Sequence, residues 1–148
     1  NTATFSNIPA TYTDLIVVAN FNTTTGNQST NLTFNGDTST NYSYTYLQGN
    51  GTTATSSRGS TDNRIYNGAS ASATSGNTTN FVLQIFNYAN TTTYKTTLCR
   101  SNAADYLLFS IVGLWRKTPE AITSVTFTCP SYNYVSGSTF SLYGIAAA

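Results

Sequence analysis

The residues that could carry catalysis are few in this chain of 148 residues. It has no histidine, which excludes Ser-His-Asp triads, Cys-His pairs and histidine metal ligands. Glycoside hydrolysis needs only two carboxylates, so the acidic residues must be considered: they are Asp14, Asp37, Asp62, Asp105 and Glu120. They are scattered over turns and strand ends, and Asp37 in Asn-Gly-Asp is typical of a solvated turn. We therefore expect no enzyme, no catalytic residue and no metal or other cofactor.

The two cysteines, Cys99 and Cys129, are the other reactive groups. Neither has the spacing of a metal-binding or redox CxxC motif. If Leu98 faces the core, Cys99 points away from it, whereas Cys129 shares a face with the apolar residues of its own strand. The sulfurs would then lie on opposite sides, although one β-bulge would reverse that. The pattern favours two free thiols and leaves their pairing open.

Aromatic side chains provide the candidate binding residues. The chain has eleven tyrosines and eight phenylalanines, and flat rings beside amide side chains are typical of sugar-binding surfaces. We expect Tyr132 and Tyr134, in the loop at 130–138, to form an exposed pair and to be the glycan contacts. The alternative is that these rings fill strand faces and close the ends of a sandwich.

Charge excludes other classes of partner. Charged residues make up 7% of the chain and the net charge is +1, so no basic stripe is available for a nucleic-acid backbone. Arg58, Arg64, Arg100 and Arg116 are too dispersed in sequence to predict a patch. The longest nearly apolar run, 106–115, has half of the roughly 20 residues that a membrane-spanning helix needs. We expect no nucleic-acid partner and no membrane insertion.

Alternation of apolar and polar residues recurs from end to end and predicts strands rather than helices. Leu15, Val17, Ala19 and Phe21 share one face of a strong strand, and Phe81 begins another. Eight or nine short strands, separated by polar turns, predict an all-β fold, an antiparallel β-sandwich of jelly-roll-like form that makes residues 1–148 a single domain.

Three segments depart from simple alternation. The run 106–115 is apolar on both faces, which predicts burial on both sides, inside the sandwich or against another subunit. The Gly/Ser/Thr-rich stretch 49–75 is too long for a turn and predicts a surface excursion with a short strand at Arg64–Tyr66. Thr118–Ala121 could form one helical turn.

Several ordered phrases resemble a domain of tailed-phage virion proteins. They are Phe5-Ser-Asn-Ile-Pro-Ala-Thr-Tyr-Thr-Asp-Leu, Phe34-Asn-Gly-Asp, Asn41-Tyr-Ser, Gly113-Leu-Trp-Arg, Ala121-Ile-Thr-Ser and Gly137-Ser-Thr-Phe-Ser-Leu-Tyr-Gly-Ile. Together they run over almost the whole chain and are similar to the C-terminal β-sandwich domain of structural and fibre proteins in phages of marine and cyanophage type.

This resemblance implies a bacteriophage virion surface protein, either a tail or head fibre domain or a capsid decoration, with a structural and a host-attachment role. The chain would be the exposed module of a longer virion protein. Its partners would be other virion proteins, copies of itself, with a trimer favoured, and a host surface glycan. Its location would be the surface of the extracellular particle. The alternative is a carbohydrate-binding module of a secreted microbial protein.

Overall fold

A computed structural model describes residues 1–25, 28–69, 78–103 and 107–146 of the chain. Within these residues eleven β-strands form: β1 Thr2–Phe5, β2 Asp14–Phe21, β3 Ser29–Phe34, β4 Tyr42–Gly49, β5 Ala54–Asp62, β6 Ile65–Ala69, β7 Thr79–Phe86, β8 Lys95–Ala103, β9 Leu107–Trp115, β10 Val125–Thr128 and β11 Thr139–Ile145. None of the described residues forms a helix long and apolar enough to cross a membrane.

The strands form two antiparallel sheets. One has four strands in the order β1-β10-β3-β6, and the other has seven in the order β11-β2-β7-β8-β9-β4-β5. Strands far apart in sequence pair in a nested series, β2 with β11, β3 with β10 and β4 with β9, as expected of a jelly-roll-like sandwich. The predicted all-β sandwich is confirmed, with more strands than the eight or nine expected.

The core lies between the two sheets and follows the predicted alternation. Leu15, Val17, Ala19 and Phe21 of β2 are all buried, and their neighbours on the strand point outward. The buried face of β7 is Phe81, Leu83 and Ile85, which stand opposite the β2 residues in register. The four-stranded sheet contributes Leu32, Phe34, Val125 and Phe127 to the same cluster.

Aromatic rings fill much of this core. The ring of Phe81 lies 5.1 Å from that of Phe127 on the opposite sheet, measured between centroids. At the other end of the sandwich the ring of Trp115 lies 5.5 Å from Phe34 and 6.3 Å from Tyr42. Such pairs stabilise a fold by roughly 0.5–1.5 kcal/mol each beyond their buried area. Many of the rings that suggested a binding surface are therefore structural.

Strand β8 turns its polar residues inward. Lys95, Thr97, Cys99 and Ser101 are buried, whereas Leu98 lies on the outside of the sheet and is half-buried. The expectation that Leu98 faces the core was wrong. Even so, Cys99 and Cys129 are both buried and unpaired, which confirms two free thiols. Burial raises the pKa of both thiols, so they stay protonated and unreactive in the folded chain.

The stretch 49–75 is more regular than expected. Its described part contains β5, which pairs with β4 in a hairpin, and β6, which joins the four-stranded sheet. Asn50 closes the hairpin turn, since its Oδ1 accepts hydrogen bonds from the backbone of Thr52 and Thr53. Residues 70–75 lie outside the described residues.

Two other expectations need correction. The segment 118–121 contains no helical turn, because Glu120 is instead hydrogen-bonded to Asn35 of the β3–β4 turn. Strand β9 buries Phe109, Ile111 and Trp115 on one face only, while Leu108 and Val112 remain 59% and 52% exposed on the other. The prediction of burial of both faces inside the sandwich was therefore wrong, whereas burial of the second face against another subunit stays a prediction; Tyr106 of this run lies outside the described residues.

Candidate functional site

The described carboxylates serve the fold. Asp14 accepts hydrogen bonds from Gln84 Nε2 at 2.9 Å and from the Asn87 backbone at 2.7 Å. Glu120 accepts from Asn35 Nδ2 and from Lys117 Nζ, each at 3.0 Å. The hydrogen bond from Asn35 and the nearby lysine lower the pKa of Glu120 against the opposing effect of burial.

Asp37 differs most from its expected role as a solvated turn residue. It is 8% exposed, and its carboxylate accepts hydrogen bonds from Trp115 Nε1 at 2.7 Å, Asn41 Nδ2 at 2.9 Å and the Ser39 backbone at 2.9 Å. Burial alone would raise the pKa of Asp37, but these bonds outweigh it and lower the pKa. The carboxylate ties the β3–β4 turn to the end of β9.

The remaining acidic residues are Asp62 and Asp105. Asp62 is bound to the Tyr44 hydroxyl and to Arg64, and Asp105 lies outside the described residues. Among the described positions, no group of three or more Cys, Asp or Glu residues could hold a metal ion. Each described carboxylate is therefore engaged by donors of the fold, and the described part of the chain forms no candidate metal centre.

The two predicted glycan contacts have different surroundings. Tyr132 is 37% exposed in its loop. The ring of Tyr134 instead lies 5.4 Å from Phe21 and 5.0 Å from Phe140, in edge-on contacts that close one end of the core. Burial raises the pKa of the Tyr134 hydroxyl. The expected exposed pair is not formed, and glycan contact by Tyr132 stays a prediction.

A different surface has the properties of a binding site, namely the outward face of the seven-stranded sheet, here called the outer face. The strand register places its side chains in rows that run across the sheet. One row contains Ile16, Gln84, Leu98, Val112, Thr45 and Arg58, and the next contains Val18, Val82, Arg100, Ser110, Leu47 and Ser56. Aliphatic, amide, hydroxyl and arginine side chains therefore alternate over one exposed surface.

Three concavities lie on the outer face. The arginine pocket, about 610 Å³, is lined among others by Thr45, Arg58, Phe86, Thr96, Leu98 and Arg116. The amide pocket, about 450 Å³, is lined by Asn80, Val82, Gln84, Arg100 and Asn102 and shares Leu98 with the first. The third, about 510 Å³, lies at one end of the outer face, here called the apolar end, and its lining includes Leu47, Ala54 and Leu108. These volumes are in the range of small-ligand sites, roughly 300–1,000 Å³.

The outer face carries uncompensated positive charge. Arg58, Arg100 and Arg116 all belong to it, and none forms an ion pair with a described residue. The ion pairs among the described residues are Arg64–Asp62 and Lys117–Glu120. Of the described carboxylates, Asp14 alone lies on this face, where its oxygens are used by Gln84 and Asn87.

Sequence reasoning missed this surface because its arginines are far apart along the chain. Arg58 lies on β5, Arg100 on β8 and Arg116 directly after β9. They share a face because β9 lies between β8 and β4, and β4 pairs with β5. One signal was present in β9. Its alternation places Val112 and Leu114 on the outward face, and the same alternation places Arg116 there too.

Comparisons with known proteins give a structural neighbour of low similarity. No family model matches the chain, and no curated protein matches it. Among solved structures, it is similar to a tetrameric galectin from Cinachyrella sp., a ball sponge. The identity is 13% and the TM-score 0.41, over 98% of this chain and 99% of the galectin chain. At that level the likeness supports no conclusion about this chain.

Proposed function

We propose that this chain is a non-catalytic β-sandwich module that binds a glycan on its outer face. The observation that carries the proposal is one concave surface on which amide, hydroxyl and arginine side chains stand beside exposed aliphatic ones. The described carboxylates accept hydrogen bonds from donors of the fold, which supports a structural rather than a catalytic role for them.

The chemistry of the amide pocket suits a sugar. Hydroxyl groups both donate and accept hydrogen bonds, and the amides of Asn80, Gln84 and Asn102 do the same, whereas Arg100 donates. Sugar rings also have apolar C–H faces, which exposed Val82 and half-buried Leu98 can cover. Tyr132 is not among the residues that line these pockets, so a contact through its ring would be an additional one.

The test is binding of the purified chain to an array of polysaccharides and host-cell glycans, followed by calorimetry. Asn102 is exposed on β8, so Asn102→Ala leaves the core untouched and should weaken binding about 3- to 10-fold by removing one or two hydrogen bonds. Asn63→Ala, at the exposed turn before β6, is the matched control. Absence of any glycan binding, or equal losses in both variants, would refute the proposal.

We propose further that the module belongs to the surface of a tailed-phage particle, as a fibre or decoration domain beside other virion proteins. The resemblance of the phrases between Phe5 and Ile145 to phage virion domains supports this. Labelling of intact particles with an antibody against the chain tests it. The competing proposal, a carbohydrate-binding module of a secreted microbial protein, predicts a neighbouring catalytic domain in the full polypeptide and no labelling of particles.

Self-association is proposed at the apolar end of the outer face, with a trimer favoured. Leu47 and Leu108 are 62% and 59% exposed there, on neighbouring strands, and a symmetric contact between copies would remove both from water. This region adjoins the amide pocket, because Leu108 stands opposite Asn102 and Ser110 stands opposite Arg100 in the strand register, so subunit contact and ligand binding would lie side by side on one surface.

A further inference from the structure

The arginine pocket has a charge arrangement that a neutral sugar would leave unused. The backbone of two neighbouring strands holds the Arg116 side chain in place, because its Nη2 donates to the Ser60 carbonyl at 2.7 Å and to the Tyr42 carbonyl at 3.3 Å. These bonds occupy one nitrogen and leave the other N–H groups of the guanidinium for a ligand. A cation fixed before binding loses little side-chain entropy when the ligand arrives.

Arg58 brings a second positive charge to the same pocket. It is exposed on β5, opposite Thr45, and forms no ion pair with a described residue. Asp62, the acidic residue of that strand, is instead bound to Arg64 and Tyr44. Two guanidinium groups therefore line the pocket, and neither is paired with a carboxylate among the described residues.

The rest of the pocket fits a sugar ring more closely than a bare anion. Ser43, Thr45 and Thr96 supply hydroxyl groups, while Leu98 and Val112 supply an aliphatic floor. The ring of Phe86, half-buried at the edge, offers an aromatic surface for C–H contacts. Arginine also matches the planar, bidentate geometry of carboxylates and related oxyanions better than lysine does.

We propose that the glycan bound by this chain is acidic and that the carboxylate or sulfate group of one sugar residue binds between Arg58 and Arg116. The inference rests on the proposed glycan-binding function and adds the charge class of the ligand and the residues that select it. The ring of the acidic sugar lies over Leu98 and Val112, and the neighbouring sugars of the chain extend into the amide pocket.

The experiment compares four polymers by calorimetry: polygalacturonate, dextran sulfate, neutral dextran and a single-stranded DNA oligonucleotide. We expect one or both acidic polysaccharides to bind at least ten times more tightly than dextran. Binding should weaken between about 0.05 and 0.5 M salt, because screening shortens the reach of the two charges. The preferred polymer of the two identifies the anion as carboxylate or sulfate.

Three variants locate the site. Arg58→Gln removes an exposed charge and should weaken acidic-glycan binding about tenfold or more, while Arg64→Gln, the matched control outside the pocket, should leave it unchanged. Arg116→Lys keeps the positive charge but removes the paired N–H groups of the guanidinium. Weaker acidic-glycan binding with an unchanged melting temperature would support a bidentate contact. Arg58→Gln tests the site independently if Arg116→Lys fails to fold.

The outcomes separate the two proposals. Equal binding of dextran and the acidic polysaccharides overturns the acidic-ligand inference and leaves glycan binding intact. No binding of any polysaccharide overturns both. Equal binding of DNA, with the same loss in Arg58→Gln, assigns the pocket to polyanions in general and overturns the selection of sugars. Unchanged acidic-glycan binding in Arg58→Gln places the ligand elsewhere.

Discussion

Replacing Asp37 by alanine removes the acceptor for three donors: Trp115 Nε1, Asn41 Nδ2 and the Ser39 backbone N–H. The largest loss comes from the indole N–H, because Trp115 is 2% exposed and its nitrogen cannot form a hydrogen bond with water instead. A buried donor left unpaired costs about 1–3 kcal/mol, and each better-solvated donor costs roughly 0.5–1 kcal/mol. We expect a loss of about 3 kcal/mol in the free energy of unfolding.

For a domain of this size that loss lowers the melting temperature by roughly 6–12 °C. The chain has one tryptophan, so urea unfolding followed by its fluorescence reports the change at the site itself. Asp62→Ala is the matched control, because Asp62 has no fully buried donor: it accepts from the half-buried Tyr44 hydroxyl, from the exposed Asn63 backbone and from Arg64, which is 41% exposed. Exposed pairs contribute about 0–1 kcal/mol.

The pH dependence of the free energy of unfolding gives a second measurement on the same variant. The pKa of Asp37 is below its ordinary value of 3.8, because its hydrogen bonds outweigh burial. A carboxyl group of this kind stabilises the fold at pH values above 3.8, and that contribution disappears as pH falls through the lowered pKa. The stability difference between the wild type and Asp37→Ala should therefore narrow below pH 3.8. Equal losses in Asp37→Ala and Asp62→Ala at neutral pH would refute the reasoning.

Three further expectations concern packing, thiols and assembly. Gly113→Ala should destabilise by about 1–3 kcal/mol in urea, because an added Cβ would lie 2.5 and 2.7 Å from two buried side chains, whereas Gly49→Ala, with its nearest contact at 3.9 Å, should be nearly neutral. Cys99 and Cys129 should react with a thiol reagent only after denaturation, and rapid reaction of the native chain would contradict their burial. Sedimentation at micromolar concentration should show an oligomer that Leu108→Asp dissociates, and a monomeric wild type would end the self-association proposal.

The strands that could be predicted from the sequence bury one apolar face against the opposite sheet. β2 and β7 are of this kind, because Leu15, Val17, Phe81 and Leu83 alternate with outward residues. The contrast is β5, which has no apolar alternation and is exposed on nearly all its length. It forms because its backbone pairs with β4 at the edge of the sheet, and backbone pairing leaves no pattern in side chains.

The orientation of β8 could not be predicted for a related reason. Alternation shows which residues share a face but not which face is inside, and here small polar residues such as Thr97 and Ser101 lie within the core. Apolar Leu98 lies outside, where it contributes to two of the pockets. The candidate site depends on this inversion, since it also turns Arg100 outward.

Strict alternation separates two sets of side chains in the large sheet. Inward residues such as Leu83 and Ile111 meet the opposite sheet, while their neighbours Val82, Arg100 and Val112 lie on the outer face. Changes on the outer set therefore leave the packing of the inner set in place. The fold can serve as a scaffold on which combinatorial libraries at the outward positions select new ligands at little expense in folding stability.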